Sequence, residues 1–220
     1  MRLPFTPEQF FNVFAQYNLA VWPMQIVIYL LALAAVFLAL RKMNHSDRII
    51  SIILACLWLW IGLIYHLTFF TAINPAAYIF GGLFIAQGLL FFVAGVWRQK
   101  ITFAPHINLY VNMGAFFILY GMLIYPVLGY FLGHVYPHSP TFGLPCPTTI
   151  FTFGLLLWSD RPLPKYLLLI PLIWSLIGFQ AATQLGVLED IMLLIAALVA
   201  TTLIWYRDRT TGKFKPSFSA

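Results

Sequence analysis

Three histidines and one cysteine carry most of the chemistry available to this chain. His134 and His138 are spaced HxxxH, Cys146 lies between prolines in Leu144-Pro145-Cys146-Pro147, and His66 follows Tyr65. Imidazole, thiolate and carboxylate are zinc ligands, and imidazole with thiolate suits copper or mercury. His66, His134, His138 and Cys146 are therefore candidate ligands for a transition metal such as zinc or copper. A wider solute-contact set adds the hydroxyls of Tyr65, Thr148 and Thr149 and the carboxylate of Asp190, which with Glu189 opens the last apolar stretch. Against the metal reading, HxxxH aligns both rings only on a helix, and Pro137 interrupts that motif.

The Pro-Cys-Pro element is the most specific local signal. Prolines 145 and 147 remove two backbone donors, which predicts irregular backbone here and a helix starting near Thr148. Irregular backbone at membrane depth persists where protein buries it or where it lines a wet cavity. Thr148, Thr149 and Thr152 then either satisfy freed carbonyls or place hydroxyls along a path. A structural kink with an incidental cysteine is the competing reading.

The elements that must position these groups are membrane helices. Of 220 residues, 62% are hydrophobic and only 8% charged, a composition that excludes an ordinary soluble domain. A helix needs about 20 apolar residues to cross the hydrocarbon. Spans are predicted near 21–40, 48–70, 76–97, 107–132, 147–158, 166–185 and 187–206, giving an all-α, seven-transmembrane-helix bundle and a single integral membrane domain over 1–220. Eleven of the twelve Lys and Arg residues fall in alternate gaps: Arg41, Lys42 and Arg48; Arg98 and Lys100; Arg161 and Lys165; Arg207, Arg209, Lys213 and Lys215. Only Arg2 falls on the other side. The positive-inside rule then puts the N-terminus outside and the C-terminus in the cytoplasm. The short fifth span could instead be re-entrant, but that would leave five basic residues inside and seven outside. Trp97, Trp158 and Trp205-Tyr206 stand beside basic residues and are expected at the inner headgroup level.

Thr6-Pro7-Glu8-Gln9 reads as a capped helix start. Phe10, Phe11, Phe14 and Tyr17 follow at helical spacing, predicting an amphipathic interfacial helix over 7–18 that anchors or lids the bundle. Gly81, Gly88 and Gly95 recur every seven residues and predict a close helix contact, within the chain or in a homo-oligomer. Asn108, Asn112, Gln87 and Gln180 are expected to hydrogen-bond between helices. All six carboxylates lie at span edges, which disfavours a carrier coupled through a midplane acid. The net charge of +6 forms a cytoplasmic collar facing anionic lipid; the partners are the bilayer and its anionic lipids, with no nucleic acid.

The run PTFGLPCPTTIFTFG over 140–154, with FTPEQF at 5–10, resembles an uncharacterised family of small bacterial multi-pass inner-membrane proteins, along most of the chain. The resemblance implies a bacterial plasma-membrane location and brings no activity. The spacing of His134 and His138 is also similar to that of seven-helix metal hydrolases acting on lipid amides, but the pair follows the fourth span and no intramembrane Asp accompanies it. Three functions compete. The leading one is a transporter or channel-like binder of a small solute or soft metal ion, at an outward-facing site with a broken fifth helix. The others are an intramembrane metal- or thiol-dependent hydrolase and an accessory subunit of a membrane complex.

Overall fold

Thr6 starts the first helix through a reciprocal capping box. Its hydroxyl accepts from Gln9 N–H at 3.3 Å, and Gln9 Oε1 accepts from Thr6 N–H at 2.9 Å, with Pro7 at the first helical position. The computed structural model describes residues 3–106 and 108–212, with side chains to 210; Arg2, Lys213 and Lys215 lie outside the described residues. Among the described residues eight helices follow one another: α1 Pro7–Ala20, α2 Met24–Leu40, α3 Ser46–Ala72, α4 Ala77–Trp97, α5 Leu109–Phe131, α6 Pro145–Leu157, α7 Tyr166–Leu185 and α8 Leu188–Thr210. Helices α3, α4 and α5 each contain a wider π-helical stretch, at Ile61–Phe69, Phe92–Trp97 and Tyr120–Ile124.

The chain is an all-α, multi-pass membrane protein. Among the described residues five helices (α3, α4, α5, α7 and α8) are long and apolar enough to cross, or six when α1 and α2, bent by 87° at their junction, count as one span. The expected fifth span, α6, has only 13 residues, a rise of about 20 Å. Its surroundings account for its length. Every residue of α6 except Cys146 is buried, chiefly against α5 and α8, so lipid does not set how long it must be. The large side chains that do face outward are those lipid solvates, such as Leu33 and Phe37 of α2, Leu123 of α5 and Leu198 of α8.

Small residues bring the backbones together. A Cβ on Gly81 would lie 3.2 Å from Gly62 O, and one on Gly88 would lie 3.0 Å from Ala55 O. The seven-residue glycine stripe of α4 thus faces α3 within one chain. Helices α5 and α6 cross at Gly114 and Gly154, where each missing Cβ would sit 2.7 Å from the other's carbonyl oxygen.

Two prolines lie inside spans, and each frees the carbonyl four residues earlier. Pro126 frees Met122 O, which accepts from the Tyr29 hydroxyl at 3.0 Å. Pro171 frees Leu167 O, which accepts from Gln87 Nε2 at 2.9 Å. Both repairs come from another helix, as lipid-embedded backbone requires. Gln87→Leu should cost about 1–3 kcal/mol, the penalty for an unsatisfied buried acceptor. Adding Pro171→Leu returns an N–H to that carbonyl, so the double variant should recover most of the loss in a thermal melt. Strictly additive losses would contradict the assignment.

The basic loops gather at one end of the bundle. Lys42 bonds Asp47 at 2.8 Å and Phe103 O at 2.8 Å, Arg207 donates to Ser159 O at 2.6 Å, and Lys165 pairs with Asp208. Trp97, Trp205 and Tyr206 are exposed near this end. Trp158 departs from expectation: it is buried, because its indole N–H donates to Val111 O at 3.0 Å and ties α6 to α5. Asn108 also departs, capping α5 through Val111 N–H at 3.0 Å instead of bridging helices.

Candidate functional site

The Pro-Cys-Pro element is helical. Leu144 is extended and acts as N-cap, and α6 begins at Pro145, two or three residues before the expected start. Proline fits there because the first turn of any helix has no acceptors for its N–H groups. The expected break in this helix is therefore absent; the irregular backbone lies before it. The threonines serve the backbone: Thr149 donates to Pro145 O and Thr152 to Thr148 O, both at 2.8 Å, while Thr148 Oγ1 accepts from Gly143 N–H at 3.2 Å. Thr148 and Thr149 are fully buried and do not border the cavity described next.

Cys146 opens instead onto a cavity of about 340 Å³ at the end of the bundle opposite the basic loops. Phe5, Phe10 and Phe14 contribute to it from the α1 side, and Tyr65, Phe70, Phe80 and Trp174 from α3, α4 and α7. Its polar lining includes Asn74, Gln180 and Gln184 as well as a cluster around Asp190. Asp190, 5% exposed, accepts from the Tyr125 hydroxyl at 2.5 Å. The Cys146 thiol and the Trp174 indole nitrogen both lie beside Gly178, and that indole N–H makes no hydrogen bond among the described residues. Gly178 makes room for Leu193 of α8: a Cβ there would lie 2.7 Å from Leu193 Cδ2, and 3.7 Å, an ordinary contact, from Cys146 Sγ. Tyr65, Cys146 and Asp190 of the expected contact set thus share one cavity.

The histidines do not join them. His66 is fully buried, and among the described residues neither ring nitrogen has a hydrogen-bond partner. Its ring centroid lies 5.1 Å from that of Tyr65, 4.8 Å from Phe84 and 5.2 Å from Trp174, one layer of rings behind the cavity wall. His134 and His138 are separated because Gly133, at φ +91°, follows the end of α5 and the next residues form a turn. His134 Nδ1 lies 2.7 Å from Glu189 Oε1, and its ring stacks on Phe11. His138 is exposed in the loop. Among the described residues no group of three or more His, Cys, Asp and Glu side chains is arranged to hold a metal ion.

A residue that the motif reading passed over holds α1 against the bundle. Asn18 is fully buried; its amide donates to Pro137 O at 2.7 Å and Ser139 O at 2.8 Å, and its oxygen accepts from Thr141 at 2.8 Å. Tyr17 adds a contact, its hydroxyl accepting from Trp60 at 2.8 Å. The signal was present: Asn18 falls one turn after Phe14, on the apolar face, where an amide must find partners.

The model of a family of unknown function (DUF6064) matches residues 7–215. No curated protein and no solved structure matches the chain.

Proposed function

Because the chain belongs to this family of unknown function, its activity must be argued from the cavity, and we propose that it is a solute-binding protein of the bacterial plasma membrane. In this reading seven crossings leave the cavity open to the outer face and the basic end in the cytoplasm. The solute is a small amphiphile with a short apolar body and a hydrogen-bond-donating head. The observation that carries this is the pairing of aromatic walls under α1 with the cluster of Cys146, Asp190 and Tyr125, to which Asn74, Gln180 and Gln184 add uncharged polar groups. Its volume suits a small organic molecule. A donating or cationic head placed against Asp190 would gain a charge-assisted hydrogen bond within apolar surroundings.

Titration of hexylamine and hexanoate onto nanodisc-embedded protein, corrected with empty nanodiscs, tests this reading. Hexylamine should bind with a dissociation constant on the order of millimolar, as a ligand of so few atoms allows. Asp190→Asn should weaken it about tenfold. Equal binding of the two compounds, or an amine preference that survives Asp190→Asn, would remove the proposal.

A further inference from the structure

The basic end holds a second cavity, of about 430 Å³, bordered by His45, Arg48, Gln99, Thr102 and Arg161. Its one bordering carboxylate, Asp47, is engaged: Lys42 lies 2.8 Å away and Phe103 N–H donates to it at 2.8 Å. Arg48 and Arg161 make no ion pair among the described residues. Arg48 Nε is also buried without a hydrogen-bond partner, a costly arrangement for a charged donor. Three loops that are distant in the chain, around residues 45–48, 99–102 and 161, therefore deliver two guanidinium groups, an imidazole and an amide to one hollow. Trp97, exposed just before Gln99, is of the type that sits at headgroup depth.

We infer that this hollow is a phosphate site occupied by the headgroup of an anionic phospholipid. Guanidinium groups match phosphate oxygens in pairs, and neither Arg48 nor Arg161 has its charge balanced by an ion pair among the described residues. Occupancy would fasten the α2–α3, α4–α5 and α6–α7 loops together. The site is independent of the cavity at the other end and stands whether or not that cavity binds a solute.

Native mass spectrometry of the full chain, with phosphatidylglycerol or phosphatidylcholine added, reads the site directly. Phosphatidylglycerol should be retained preferentially, and Arg48→Gln and Arg161→Gln should each weaken retention about tenfold, the loss of one hydrogen bond to a charged group. Arg161 is exposed, so its variant folds even if Arg48→Gln does not. Arg98→Gln, an exposed change beyond the hollow, should leave retention unaltered. Three results would overturn the inference. In one, both lipids are retained equally. In another, Arg98→Gln lowers retention as much as the pocket variants, which would mean a diffuse collar. In the last, millimolar inorganic phosphate displaces the lipid completely, which would mark the hollow as a site for a free anion.

Discussion

Asn18→Leu should release α1 from the bundle, and hydrogen exchange of the α1 amides should accelerate by about two orders of magnitude. The size follows from three lost side-chain hydrogen bonds, each worth about 0.5–1.5 kcal/mol net, which leave the half-buried Pro137 and buried Ser139 carbonyls without their donor. Among the described residues the remaining ties include ring contacts such as Phe10 with Phe70, the Tyr17–Trp60 bond, and two long bonds of 3.4 Å, from the Tyr17 hydroxyl to Gly143 O and from the Tyr136 hydroxyl to Asn18 O. The change should be local, because α1 stands apart at an 87° bend and the membrane helices pack without it. Gln16→Ala, on the exposed face of the same helix, serves as control and should leave exchange unaltered. If Asn18→Leu exchanges at the wild-type rate, α1 is held by its aromatic face and the polar anchor is incidental.

Gly154→Leu should have the largest effect on folding. Its Cβ would lie 2.7 Å from Gly114 O and 2.9 Å from Ile118 N, so the obstacle on both counts is backbone and no rotamer relieves it. Overpacking costs about 1–3 kcal/mol where side chains can yield; here the α5–α6 crossing itself must open, for a loss above about 3 kcal/mol out of the 5–15 typical of a folded chain. The variant should fail to run as a monodisperse species in mild detergent. Gly82→Leu makes the same chemical change where nothing lies within 4 Å of the added carbon, and it should purify normally. Normal behaviour of Gly154→Leu would mean that α5 and α6 do not cross there.

Helix positions were legible because hydropathy and charge act over whole turns. The apolar stretches near 76–97 and 166–185 reappear as helices Ala77–Trp97 and Tyr166–Leu185, and the Thr6 capping box is a purely local device. What required the structure was mostly pairing at long range. No pattern near Pro171 announces that its freed carbonyl meets Gln87, eighty residues earlier in the chain. Local rules also misled where position within an element decides the outcome. Two prolines around Cys146 read as a break, yet the first turn of a helix accepts them. HxxxH read as a ligand pair, yet Gly133 turns the chain before the motif begins.

The candidate site was half visible. Cys146, Asp190 and Tyr65 were singled out and border one cavity, because helix ends that share a side of the membrane tend to meet. His66 was singled out as well but lies behind the wall, a placement that depends on ring packing among three helices. Tyr125 was invisible, since its role rests on one bond to Asp190 across 65 positions.

The central claim is that Cys146 borders a cavity reached from the outer face of the membrane. In Cys56→Ser protein Cys146 is the sole cysteine, and a small membrane-impermeant thiosulfonate can be applied to intact cells or to inside-out vesicles. Modification of Cys146 from the outer face, faster when Asn18→Leu is added, is the predicted result. Modification from the cytoplasmic face alone, or from neither face in the Asn18→Leu protein, would contradict it.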